Sequence, residues 1–186
     1  MTWVLSDSGT KTATVAGTAT FTNGSAVISM TNTFAANDLV TFTTTGSLPT
    51  NFATGTTYYV ISTGLSGSQF EVSATQGGSA ISAGSAGSGT QTAYPEHVLA
   101  ADTNNGTFVL EVDAHNMAMG DLVEIRVYTI TLSGGATLQA WKGTYQHTQI
   151  NAKKIAPPVA SDQSITCTVK QLAGTGRAFA WKMLRI

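Results

Sequence analysis

The sequence predicts an all-β protein of two modules, the second an antiparallel β-sandwich. Three observations lead there. Short runs of Thr, Val, Ile, Phe and Tyr alternate with Gly and Asn punctuation along the whole chain, which is the mark of strands joined by turns. Helical periodicity is absent apart from one short segment. Only 10% of the 186 residues are charged, against about 25% in an ordinary domain. The 42% apolar fraction opposes disorder as the reason, so the surface should be built from Thr, Ser and Gly.

Two domains follow from uneven composition. Residues 1–94 hold only Asp7, Lys11, Asp38 and Glu71 as charged side chains, with 21 of the 31 Thr and 12 of the 19 Gly. Residues 95–186 hold the other fifteen charges. The Gly/Ser-rich stretch 77–89 reads as a linker leading to Tyr94 and Pro95, which places the boundary near 94.

In the first module, strands are expected over 13–21, 26–30, 39–44, 57–62 and 69–74. Asn23-Gly24 stands between the first two and signals a hairpin, because a type I′ turn needs positive φ at both central residues.

In the second, longer strands are expected over 98–101, 107–113, 122–132, 136–148, 164–172 and 177–184, giving a six-strand antiparallel sandwich. Ile165, Cys167 and Val169 alternate with Thr166, Thr168 and Lys170, and Phe179, Trp181 and Met183 with Ala178, Ala180 and Lys182. Period two assigns one face of each strand to the core and the other to the outside. Residues 114–120 contain helix formers closed by Gly120, enough for one helical turn. Residues 132–136 turn one strand back on the next, and Pro157-Pro158 must lie outside the ladder.

Charge excludes several functions. A net charge of −1, with no basic run longer than Lys153-Lys154, argues against nucleic-acid binding and polybasic membrane attachment. No apolar run reaches the ~18 residues of a membrane span, and residues 1–7 lack the pattern of a secretory signal, so a protein without an export address is expected. The single Cys167 allows no internal disulfide.

The candidate chemistry is thin. Glu111, Asp113 and His115 share one strand face and form the main acid–imidazole cluster, but with Arg126 nearby they read as solvated charges. A metal would need further ligands from His97, His147 or Asp121, none at a recognisable spacing. Residues 102–106 resemble a calcium loop only briefly, since Thr107 occupies the place of the required Gly, and a turn is expected. Residues 84–89 lack the Lys-Ser/Thr of a phosphate loop and read as a flexible loop. Cys167 faces the apolar side of its strand, where a thiol acts as a small hydrophobe. The Asn23 and Asn105 sequons read as turns. Trp3, Trp141, Trp181, Tyr58 and Tyr59 could form a sugar-stacking platform, although strand aromatics usually serve the core. No catalytic, cofactor or metal residue is assigned.

Residues 38–89, with Asp38-Leu-Val-Thr-Phe-Thr, Gly46-Ser-Leu-Pro-Thr, Gly55-Thr-Thr-Tyr-Tyr-Val-Ile61 and Phe70-Glu-Val-Ser-Ala, resemble a small β-barrel module recurring in tailed-bacteriophage structural proteins. That module is also likened to the first catalytic cysteine half-domain of ubiquitin-activating enzymes, a resemblance of fold that implies no such activity. The second half, with Gly106-Thr-Phe-Val-Leu-Glu-Val-Asp113, Gly120-Asp-Leu-Val-Glu-Ile-Arg-Val-Tyr128, Ala156-Pro-Pro-Val159 and the ending Gly174-Thr-Gly-Arg-Ala-Phe-Ala-Trp-Lys, is similar to small virion proteins of such phages. The resemblance implies a structural role without catalytic residues. The expectation is a capsid decoration, or cement, protein that binds the outer surface of the major capsid protein and associates with itself, as a trimer. A tail or fibre-associated protein is the runner-up, and a carbohydrate-binding module the rival from another class.

Overall fold

A computed structural model describes residues 2–186 and shows no helix among them. The strands are β1 (Val4–Thr12), β2 (Gly17–Thr18), β3 (Thr20–Phe21), β4 (Ile28–Ser29), β5 (Leu39–Thr44), β6 (Thr57–Ser66), β7 (Gln69–Ser73) and β8 (Gln91–Asp102). They continue with β9 (Gly106–Asp113), β10 (Leu122–Ile130), β11 (Thr137–Gln146), β12 (Lys153–Ile155), β13 (Val159–Ser161), β14 (Ile165–Ala173) and β15 (Ala178–Arg185).

The protein is all-β and antiparallel, as its composition implies, but its division differs from a cut at 94. One compact unit joins the residues up to Ala13 with Val98–Ile186, and the other is Thr14–His97. The second unit is therefore an insertion within the first. The Gly/Ser stretch 77–89 is not a linker: it belongs to the inserted unit and is tied down along its length. Gly24 N–H donates to Ala83 O at 2.7 Å, Ala83 N–H to Ser25 O at 2.8 Å, and Ser47 and Ser88 exchange backbone bonds at 3.2 and 2.9 Å. Gly87 and Gly89 sit at φ 75° and 71°, and a Cβ on either would come within 2.7 Å of the 46–47 backbone. Close backbone approach requires the same residues that a flexible linker would use.

The sandwich unit has one sheet in the order β1-β15-β9-β12, with β13 also on β9, and a second in which β11, β10, β14 and β8 are neighbours. Phe108, Leu110, Val112, Phe179 and Met183 from the first sheet meet Val123, Ile125, Val127, Ile165, Cys167 and Val169 from the second, all buried in one cluster. Cys167 Sγ lies 3.8 Å from Met183 Sδ across that core. The alternation expected for the last two strands holds on the core side, with Trp181 half-buried against the cluster. It fails on the other side of β14, where Thr168 and Lys170 are buried too. In register, Lys170 stands opposite Glu124 and Thr168 opposite Arg126, so that face carries a polar layer in place of bare solvent contact.

β8 starts at Gln91, seven residues ahead of the strand expected over 98–101 and across the boundary expected near 94, with Tyr94 and Pro95 opposite Thr41 and Val40. β1 is a further strand that the residue pattern does not announce. It runs antiparallel to β15 from Val4↔Arg185 to Thr12↔Ala178, with a bulge between Leu5 and Asp7. Its side chains are mostly exposed, so backbone pairing rather than apolar alternation holds it. The 114–120 segment makes no helical turn. Met117 N–H donates to Ala114 O and Asp121 N–H to Ala118 O, both at 3.1 Å, which are two consecutive tight turns. Asp113 and Asp121 accept from the His115 and Ala118 N–H groups and stop a helix from propagating. Pro157 and Pro158 lie between β12 and β13, off the ladder as expected.

In the inserted unit, the order is β8-β5-β6-β7-β4-β3, with β2 on β8. No closed ladder forms, so the barrel-like expectation is not met as a closed sheet. Residues 17–21 nevertheless grip both ends, as β2 on β8 and, after Ala19, as β3 on β4. The single strand expected over 13–21 is thus broken into short pieces. The Asn23 turn is a hairpin connection, but only Gly24 has positive φ (78°), and Ser25 N–H bonds to Thr22 O at 3.0 Å, a type II rather than a type I′ turn. The core is aromatic: Phe21, Phe42, Phe52 and Tyr58 stack edge-on or tilted at 4.9–5.8 Å.

Candidate functional site

β9, β15 and β12 place Glu111, Asp113, Lys153 and Lys182 side by side on the outer face of their sheet. Register fixes this, because Lys182 pairs with Glu111 while Ala180 and Lys153 pair with Asp113. With Ser8 and His115 they line an open groove of about 680 Å³. Glu111 Oε2 accepts from Lys153 Nζ at 2.9 Å and Lys182 Nζ at 3.0 Å, and His115 Nδ1 lies 2.8 Å from Asp113 Oδ2. The flanking cations are therefore two lysines and not Arg126, which sits on β10 beside Glu124, Tyr128 and Lys142. Partial burial works against the Glu111 carboxylate, but the two ammonium groups more than offset it and hold its pKa below the ordinary value. Asp113 is held low by the His115 N–H and ring. An acid catalyst working near neutrality needs the opposite shift, so the groove presents fixed, ionised, paired charges.

The remaining candidates are dispersed. His97 is fully buried, with Nδ1 2.7 Å from Asp38 Oδ2. His147 Nδ1 accepts the Gly120 N–H at 3.0 Å. Asp121 anchors a corner: Oδ2 accepts from Arg177 Nε at 2.7 Å and from Ala118 N–H at 2.8 Å, and Oδ1 from Thr175 N–H at 3.2 Å. Burial raises its pKa, and Arg177 with the two N–H groups brings it below normal. Among the described residues, no three His, Cys, Asp or Glu side chains are grouped to hold a metal ion. Cys167 is buried, and desolvation pushes its thiol up to about 12. Asp102 caps its own turn through the Asn104 N–H at 2.8 Å. The aromatic platform is not assembled: Tyr58 is buried in the inserted unit and Tyr59 points to the other face of its strand, while Trp3, Trp141 and Trp181 lie on or beside three different strands of the sandwich.

What the structure does offer is strand edge. β1 and β11 end their respective sheets in the sandwich unit. Val4 and Leu5 are 51% and 60% exposed on β1, and Leu138 is 55% exposed on β11. β11 holds no proline and a single charge, Lys142. Behind it, Trp141 and Tyr145 converge over Gly143, where a Cβ would come within 2.6 Å of the Trp141 ring and the Tyr145 hydroxyl, and Lys154 Nζ sits 4.8 Å from the Tyr145 ring centre. These rings brace the edge from its core side.

No relative is found. Comparison of the chain with protein-family models, curated proteins and solved structures returns no match. The site therefore rests on geometry alone. Residue pattern pointed to Glu111, Asp113 and His115, and missed Lys153, Lys182 and the β1 edge. Lys153-Lys154 and the alternation at Lys182 were visible signals, but their meeting at Glu111 depends on long-range register.

Proposed function

We propose that this chain is a non-catalytic structural protein of a tailed-bacteriophage virion, made in the host bacterial cytoplasm. Within that class, the reading is a capsid decoration protein that binds the outer surface of the major capsid protein, associates with itself as a trimer and ties the shell together. The observation that carries it is the pair of long strand edges, β1 and β11, with exposed Val4, Leu5 and Leu138. Such edges are templates for pairing with another chain unless an assembly covers them. The resemblance of both halves to phage structural proteins supports the same reading. So does the use of the charged side chains: Asp121–Arg177, Glu124–Arg126–Lys142 and Glu111–Lys153–Lys182 are ion pairs that hold strands and corners together.

The test is imaging of intact virions with sedimentation of the purified protein. Density for this fold on the outer shell, in self-contacting copies, is the expected result. Density confined to the tail would transfer the protein to the tail-associated class. A sedimenting monomer present as isolated copies would remove self-association from the proposal.

A further inference from the structure

The inserted unit begins at Thr14 and ends at His97, and these two residues are bonded to each other. The Thr14 backbone N–H points at His97 Nε2, with 2.8 Å between the nitrogens. On the other side of the ring, Nδ1 lies 2.7 Å from Asp38 Oδ2. A backbone N–H can only donate, so Nε2 must be the lone-pair nitrogen, and Nδ1 carries the proton that it donates to Asp38. The ring is thereby assigned as the neutral Nδ1–H tautomer with both nitrogens in use. The arrangement is buried: His97 is 0% and Asp38 1% exposed. Asp38 Oδ2 also accepts the Ala35 N–H at 2.9 Å, and the Phe34 ring packs 5.4 Å from the imidazole. Thr14 is held a second time through its Oγ1, which accepts the Thr33 N–H at 2.8 Å.

We propose that His97 is an acid-released clasp that joins the first and last residues of the inserted unit. A second proton on the ring can go only to Nε2, where it meets the Thr14 N–H head-on, so the charged ring and the Thr14 bond exclude each other. Asp38, at the start of β5, is the charged group facing the ring and gives the imidazolium a counter-ion, which lets the clasp open without expelling the side chain. The other contacting segments bring Thr14, Thr33 and Phe34, which do not titrate. Glu96 precedes His97 on β8 and by strand alternation faces the opposite side. Acid therefore frees Thr14 from His97 while the His97–Asp38 pair persists.

The experiment is an NMR titration of the full-length ¹⁵N-labelled protein from about pH 8 to about pH 5, across the imidazole range. It follows the His97 ring nitrogens together with exchange of the Thr14 amide, corrected at each pH for the intrinsic rate. Expected are Nδ1–H shifts at the alkaline end, then ring charging with a fall of roughly tenfold or more in Thr14 protection at the same midpoint, while the β5 amides of Val40 and Phe42 stay protected. In His97→Gln, whose amide oxygen reaches toward the Nε2 position and does not titrate, Thr14 protection should stay level. An Nε2–H tautomer would overturn the proposal. So would a ring that stays neutral throughout, a charged ring with Thr14 still protected, or the same pH-dependent loss in His97→Gln, which would assign the effect to a carboxylate. If the variant does not fold, the two signals of the unaltered protein decide alone.

Discussion

Gly174, Asp121 and Arg177 show how a distinctive glycine-rich run is accounted for by local packing. Gly174 has φ 93°, and a Cβ there would lie 1.9 Å from Asp121 Oδ1. Gly176 would meet Ala13 O at 2.7 Å. Arg177 binds the same carboxylate, its N–H donates to Gln171 Oε1 at 2.9 Å, and its carbonyl accepts the Ala13 N–H at 2.8 Å. The Gly-Thr-Gly-Arg run is thus a corner folded around one buried acid. Asp121→Asn keeps the shape and removes the charge, and is expected to lose about 1.5 to 3 kcal/mol in urea unfolding, the range for a charged hydrogen bond. A loss below about 0.5 kcal/mol would show that the corner is held by backbone alone. On β15, Phe179→Ala is expected to cost about 3 to 5 kcal/mol, Trp181→Ala less because its ring is half-buried, and Lys182→Ala under about 1 kcal/mol, the range of a half-exposed ion pair. A Trp181→Ala variant that melts like the parent would contradict the packing of the indole on the core. Residue-level reading succeeded where side-chain chemistry is local, as with the core-facing Cys167 and the turn at Asp102. It had no means of pairing Asp121 with Arg177 or His97 with Asp38, because those partners are distant in sequence.

Strand positions were legible wherever apolar residues alternate. β5 agrees end to end, β7, β9, β10, β14 and β15 agree within about two residues, and β6 runs on to Ser66. Most failures share a cause. β1, β12 and β13 are edge or short strands whose side chains bury little, so they leave no period-two trace and are set by backbone pairing with strands far along the chain. β8 is the exception: residues 91–97 are largely buried in mid-sheet, but Gln91, Tyr94, Pro95, Glu96 and His97 break the apolar pattern there. A fragment spanning 95–186 lacks β1 and leaves the full length of β15 as a bare edge. That fragment is expected to aggregate or unfold without cooperativity, whereas residues 1–13 joined through a short Gly/Ser linker to 98–186 should give one sharp transition. Equal cooperativity in both would show that β1 is dispensable and that the cut near 94 was adequate.

For the whole molecule, acid is the informative variable. Burial opposes ionisation of Asp102, Glu111, Asp121 and Glu124, yet in each case hydrogen bonds and cations bring the folded pKa below its ordinary value. Depressed carboxylates bind fewer protons folded than unfolded, so their contribution is complete above the unfolded pKa of about 4 and disappears as pH falls through the lower folded values. The melting temperature should be flat from about pH 7 to about pH 5 in these terms and drop steeply below about pH 4. A steep drop already at pH 6 would point to a histidine instead. The insertion also orders events during synthesis. β1 leaves the ribosome well before its partner β15, so the sandwich cannot be completed until β15 has emerged, while everything needed for Thr14–His97 emerges earlier. Once that unit folds, Thr14 and His97 are bonded neighbours, and the long stretch between them no longer counts as slack. The loop separating β1 from the rest of its own unit is then shortened in advance, which lowers the entropy lost when β1 and β15 finally meet. β1 waits unpaired in the meantime, and a cell making this protein has that interval in which to keep it from pairing with a neighbouring nascent chain.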